Sequence, residues 1–190
     1  MMSKTPAISK SSSALTANGG GARLSVPLLL IAGCASASLI FACATPFAAF
    51  AVLAAALLPL RHALATTIAV WLANQAIGFV LLGYPYTLNA VAWGFVLGAA
   101  ALVATVIAAA AFRNLTGLSR FAVYPIALIA AFAVYEIVLL AMVPMLGGGE
   151  AFALPIVGRI ALTNAVWLVG LVAIVEIARA AGATRHRIAQ

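Results

Sequence analysis

The chain has 190 residues, of which 66% are hydrophobic and only 7% charged, with a formal net charge of +7. A soluble domain carries about 25% charged residues, so this composition excludes a water-soluble globular protein and indicates an integral membrane protein. All but one of the ten Lys and Arg residues lie outside the apolar segments and not on one face, which excludes a nucleic-acid footprint.

Residues 1–22 are rich in Ser, Gly and Ala and contain no acid. Such a stretch cannot bury enough surface to fold alone and is expected to be a disordered cytoplasmic tail. It is not read as a signal peptide, whose apolar region would lie nearer the start.

The first apolar block, 24–60, is too long for one span, and Thr45-Pro46 is its natural break because proline cannot continue a helical hydrogen-bond ladder. Helix 1 is expected over 24–43 and helix 2 over 46–60. Cys34 and Cys43 are two and a half turns apart, too far for an intrahelical disulfide. They are read as small packing residues, with thiol ligation of a metal or corrinoid the weaker alternative. Helix 1 also carries small residues four apart: Ala32 with Ser36, Gly33 with Ala37 and Cys34 with Ser38. Such stripes let a second helix approach closely, either within this chain or on a partner subunit.

Helix 3 is expected over 63–83, following the basic pair Arg61-His62 and carrying Asn74 and Gln75 at mid-depth. Helix 4 (88–112) opens after Tyr84-Pro85-Tyr86 and holds Asn89 and Trp93. Helix 5 (121–144) follows a polar connector bounded by Arg113 and Arg120, and holds Tyr135 and Glu136. Pro144 and the Gly147-Gly148-Gly149 run separate it from helix 6 (152–178), which carries Arg159, Thr163, Asn164 and Trp167. The tail 181–190 is basic.

Six spans put both termini on one side. Nine of the ten basic residues then fall on that side and the tenth, Arg159, falls inside helix 6. By the positive-inside rule that side is cytoplasmic. The expected fold is therefore an all-α membrane protein: a six-transmembrane-helix bundle over 23–180, with cytoplasmic termini, in a bacterial inner membrane.

Depths counted along these helices place the unusual polar residues in the outer half. Polar groups inside a bilayer are costly unless they pair or line a cavity. Two arrangements satisfy this, a seam between helices or an outward-opening cavity, and the ensemble favours the cavity. Its expected lining is Asn74, Gln75, Tyr84, Tyr86, Asn89, Trp93, Glu136, Arg159, Asn164 and Trp167. Glu136 and Arg159, the two opposite charges at that depth, are expected to approach one another, as an ion pair or as ligand contacts.

No catalytic motif is present: there is no Walker A, H-E-x-x-H, G-x-S-x-G or C-x-x-C sequence, and His62 and His186 both fall at the cytoplasmic edge. No metal, no cofactor and no enzymatic activity are expected.

The run Thr45-Pro46-Phe47-Ala48-Ala49-Phe50, then Pro59-Leu60-Arg61-His62-Ala63-Leu64, Asn74-Gln75 and Gly78-Phe79, resembles helices 2 and 3 of the substrate-binding S-components of energy-coupling factor vitamin transporters, closest to the cobalamin-type group. The resemblance covers about residues 45–95 and is one of residue types. It implies a six-helix subunit that captures a small-molecule ligand from outside. It also implies docking, through Ala32, Gly33, Ser36 and Ala37, onto a membrane coupling subunit served by ATPases. The other reading is a non-catalytic accessory subunit of a larger respiratory or photosynthetic membrane complex. Both readings have the lipid bilayer as a partner and exclude nucleic acid.

Overall fold

The computed structural model describes residues 26–38 and 45–188, with side chains described through residue 181. Among these residues the chain is all-α. The helices are α1 (Val26–Ser38), α2 (Phe47–Leu57), α3 (Leu60–Ala76, continued as a π-helix over Ile77–Leu81), α4 (Leu88–Asn114), α5 (Arg120–Leu146) and α6 (Leu154–Ile188). A 3-10 turn, Gly149–Phe152, precedes α6.

Four of these helices are long and apolar enough to cross a membrane: Leu60–Leu81, Leu88–Asn114, Arg120–Leu146 and Leu154–Ala181. At about 1.5 Å per residue each exceeds the ~30 Å hydrocarbon core. Most of their surface faces outward, where Leu72, Phe95, Ile129, Ile137, Val166 and Val169 are exposed. In water so much exposed apolar surface would aggregate, whereas in lipid it is solvated. The chain is a multi-pass membrane protein.

Helix α2 is different. Its 11 residues span only about 16 Å, yet every residue from Phe47 to Ala54 is buried and it touches α3, α4, α5 and α6. A helix that is apolar all round and too short to span lipid belongs inside protein. The expected break at Thr45-Pro46 is present, with α2 starting at Phe47. Its other end stops sooner than expected because Pro59 already opens α3.

Side chains from two other helices fix the depth of α2. The guanidinium of Arg120, at the start of α5, donates to the carbonyl of Ala56 in the last turn of α2. Asn164 Oδ1 accepts a hydrogen bond of 3.0 Å from the backbone N–H of Ala49, and Asn164 lies about 15 Å along α6 from Leu154. Helix α2 therefore runs from mid-depth to the end of the bundle that carries Arg61, His62, Arg113 and Arg120, here called the basic end. Helix α1 enters from the same end, where Pro27 lies beside Leu58, Pro59 and Arg61. It reaches mid-depth at Ser38, whose hydroxyl is 3.3 Å from that of Thr45. Of the six spans expected, four helices have the full length, and the described parts of α1 and α2 form two arms reaching about halfway.

The other elements follow local rules. Thr87 Oγ1 caps α4 by accepting from the Ala90 N–H, and Ser119 Oγ caps α5 by accepting from the Ala122 N–H. Helix α5 ends at Gly147 and Gly148, both with positive φ (77° and 84°), a conformation that favours glycine. Helices α3 and α4 pack closely at Gly94 and Gly98, four residues apart. A Cβ at Gly98 would lie 2.8 Å from the Trp71 indole, and one at Gly94 would lie 2.5 Å from Gln75 Oε1. The i, i+4 pair Trp71 and Gln75 therefore seats on a glycine pair, and Trp71 Nε1–H donates to the Gly94 carbonyl at 2.8 Å. Nearer the basic end the hydroxyls of Thr67 and Thr105 meet at 2.9 Å across the same helix pair.

Candidate functional site

Four long helices surround a central helix that fills only half their depth, so space remains at the far end, opposite the basic end. Two adjoining cavities of about 300 Å³ each occupy it, and both are bordered by Thr45, Trp93 and Leu97.

The first cavity lies between α3 and α4. Asn74, Gln75, Phe79 and Tyr84 line one side, Ala90, Trp93 and Gly94 the other, and Thr45 and Phe47 at the start of α2 complete it. Its polar side is held in a network. Asn74 Nδ2 donates to Ser38 Oγ at 2.9 Å and to Thr45 Oγ1 at 2.8 Å, so Asn74 ties α3 to the end of α1 and to the residues that lead into α2. Its Oδ1 accepts from Gln75 Nε2 at 3.3 Å. The Cys34 thiol, fully buried, donates to the Val70 carbonyl at 3.4 Å beside this network.

Gln75 is the adaptable member. Its Oε1 accepts no hydrogen bond among the described residues, and no enclosed side-chain oxygen or nitrogen is left without a partner. The Gln75 oxygen therefore reaches open space, which is the cavity it lines. The mouth is aromatic: Phe79, on the π-helical segment, meets Tyr84 edge-on at 6.2 Å and stacks on Tyr86 at 5.2 Å. π-Helical turns occur frequently at functional sites because they re-aim side chains. Here the turn lets the Tyr84 ring lie over Gly78, where an added Cβ would sit 2.7 Å from it.

The second cavity lies between α4, α5 and α6. Tyr135, Glu136 and Leu139 of α5 line it, with Trp93 and Leu97 of α4, Ile160 of α6, and Glu150 and Phe152 of the 3-10 turn. Phe47, at the first turn of α2, packs against the Tyr135 ring with centroids 6.2 Å apart.

The structure thus gathers Asn74, Gln75, Tyr84, Trp93 and Glu136 of the expected lining around this space. The other five sit elsewhere. Tyr86 is exposed at the rim, its hydroxyl donating to the Phe79 carbonyl at 3.1 Å. Asn89 Nδ2 donates to the Leu146 carbonyl at 2.9 Å, tying the start of α4 to the end of α5. Asn164 caps α2, and Trp167 meets Phe50 edge-on at 5.9 Å below the cavity. Arg159 is exposed and makes no ion pair among the described residues, so the expected pairing with Glu136 is absent; the ion pair among these residues is Arg179 with Glu176 at 2.6 Å.

Sequence reasoning did not select Thr45, Phe47, Phe79, Tyr135, Glu150 or Phe152 as lining. The signals that point to them are the start of a half-length helix (Thr45, Phe47), adjacency to an intramembrane acid (Tyr135), and an acid directly after a glycine run (Glu150).

Of the four expected docking residues on α1, Ala37 is fully buried, and Gly33 faces Phe50, Trp167 and Leu171. Ala32 and Ser36 face outward, and the Ser36 hydroxyl donates back to the Ala32 carbonyl at 2.9 Å. Cys43 lies outside the described residues, as do the tail residues 1–22. Among the described residues no group of three or more His, Cys, Asp or Glu side chains could hold a metal ion.

The chain matches no protein-family model, no curated protein and no solved structure.

Proposed function

We propose that this protein is the substrate-binding membrane subunit of a small-molecule uptake transporter, of the kind the energy-coupling factor S-components represent. The observation that carries the reading is the half-length central helix α2, above which four long helices border two adjoining cavities lined by amides and aromatic rings. Sites of this size, mostly apolar with a few convergent polar groups, suit a small ligand. Trp93 would offer a stacking face and Gln75 an adaptable donor and acceptor, while Asn74, held by three hydrogen bonds, would keep the wall rigid.

On this reading the basic end faces the bacterial cytoplasm and the cavity opens outward. Four spanning helices, with α1 and α2 both reaching in from the cytoplasmic side, keep both ends of the chain inside. The non-helical backbone of Thr45 and Pro46 at that depth is tolerated because it is buried in protein. The subunit binds its ligand without transforming it, and translocation requires a membrane coupling subunit and ATPases. The outward Ala32–Ser36 strip of α1 is the part of the small-residue stripe open to such a partner.

The test is native mass spectrometry of protein gently extracted from its own membrane, with Gln75→Leu and Trp93→Ala as cavity variants and Arg159→Ala as an exposed control. A small molecule released by the wild type and by Arg159→Ala, but lost from both cavity variants, supports the reading. Ligand-free protein that travels instead with large partner subunits overturns it and favours the accessory-subunit alternative.

A further inference from the structure

The chain contains only three acidic residues. Two of them, Glu136 at depth and Glu150 on the 3-10 turn, line the second cavity, and no Lys or Arg lines it. Neither carboxylate makes a hydrogen bond or ion pair among the described residues, whereas the third acid, Glu176, is paired with Arg179. In a protein of net charge +7 this is a local reversal of sign.

Tyr135 supplies an independent observation. It is 7% exposed, yet its hydroxyl has no hydrogen-bond partner among the described residues. Because no enclosed side-chain oxygen lacks a partner, the hydroxyl reaches open space, and the space Tyr135 lines is this cavity. A buried tyrosine ordinarily pairs its hydroxyl, so a group waiting in an open cavity is poised for a ligand. Trp93 and Phe152 add aromatic faces to the same walls, and aromatic faces attract cations.

Two other charged features bear on the sign. The start of α2 borders the cavity, but a helix N-terminus carries only about half a positive charge, and its Ala49 N–H is already taken by Asn164. Two carboxylates outweigh it. Arg159 is next to the lining residue Ile160 but is exposed and forms no ion pair among the described residues.

We propose that the second cavity is the cation-recognising part of the site: the ligand carries an organic ammonium group that seats between Glu136, Glu150 and the rings of Trp93 and Tyr135. The inference rests on the ligand-binding reading above and narrows it to a substrate class. Glu136 holds the charge at depth, Glu150 draws it in at the mouth, and the first cavity takes the remainder of the molecule.

The test is titration of the purified protein with three probes: benzyltrimethylammonium, its neutral tert-butyl isostere, and phenylacetate. Saturable binding of the cation is expected, weakened roughly tenfold or more by Glu136→Gln and by Glu150→Gln, since contacts to charged groups are the stronger class. Arg159→Ala should leave it unchanged. Glu150 is exposed on a short turn, so its variant folds even if the Glu136 variant does not. Equal binding of the isostere, or cation binding indifferent to both Gln substitutions, overturns the proposal. Binding of phenylacetate or the isostere without the cation also overturns it, while leaving the ligand-binding reading standing. Binding of none of the three, with no ligand in native mass spectra, removes both.

Discussion

Asn164 of α6 reaches the first turn of α2 and takes the N–H of Ala49 on its Oδ1 at 3.0 Å, while its Nδ2 donates to the Ile160 carbonyl at 2.9 Å. The first N–H groups of a helix have no intrahelical partner, and here that end is placed at mid-depth, where water is scarce. Asn164, 2% exposed, supplies the acceptor. Replacing it by leucine strands the Ala49 N–H and should cost about 1–3 kcal/mol. Asn164→Asp keeps the acceptor but introduces a buried charge, so it should not restore stability fully. Thermal unfolding in detergent checks this, with Asn164→Leu expected clearly below wild type.

Arg120 acts at the opposite end of α2, donating to the Ala56 carbonyl. A cation near a helix C-terminus contributes about 0.3–1 kcal/mol when exposed, and Arg120 is exposed. Arg120→Met should therefore lower the unfolding temperature less than Asn164→Leu does. An equal or larger loss would show that the basic end, not the mid-depth cap, holds α2 in place.

Gly98 lets α3 lie directly on α4. Gly98→Ala brings a methyl to 2.8 Å from the Trp71 ring, and overpacking of this kind typically costs 1–3 kcal/mol. Gly170→Ala is the matched control, because nothing lies within 4 Å of its added Cβ; it should fall within about 0.5 kcal/mol of wild type. Unfolding midpoints of the two variants, measured side by side, decide the matter.

Trp93 borders both cavities. Trp93→Ala should merge them and remove the stacking face, lowering affinity for an aromatic or cationic ligand by roughly tenfold or more. Tyr135→Phe should leave folding unchanged, because its hydroxyl has no protein partner to lose, and should weaken ligand binding alone. Binding and unfolding measured on the same preparations separate these effects.

Much of the fold was legible because apolar length and basic punctuation are one-dimensional signals. The ends of α4 and α5 fall within two residues of those expected, and the break before Phe47 follows from proline chemistry. The depth of α2 was not legible: an apolar stretch of the same composition can span lipid or stand inside protein. What distinguishes the two is which side chains cap its ends, and Asn164 and Arg120 come from helices more than sixty residues away. The same limit applies to the site. An amide that caps a helix, as Asn164 does, and one that faces a cavity, as Gln75 does, have identical chemistry. Gly94 and Gly98, not singled out from the sequence, have a G-x-x-x-G spacing whose meaning depends on their partners, Trp71 and Gln75, and so on the register between α3 and α4.

The most direct test of the central claim is the side from which the space above α2 is reached. In a background with both native cysteines replaced by alanine, Ala90→Cys lies on the first cavity and Ala65→Cys at the basic end. Each would be challenged in intact cells with a membrane-impermeant maleimide. Labelling of Ala90→Cys from outside, slowed by bound ligand, is expected, with labelling of Ala65→Cys only after the membrane is permeabilised. Labelling of Ala65→Cys alone in intact cells, or an Ala90→Cys that stays unmodified from either side, would contradict an outward-opening binding cavity.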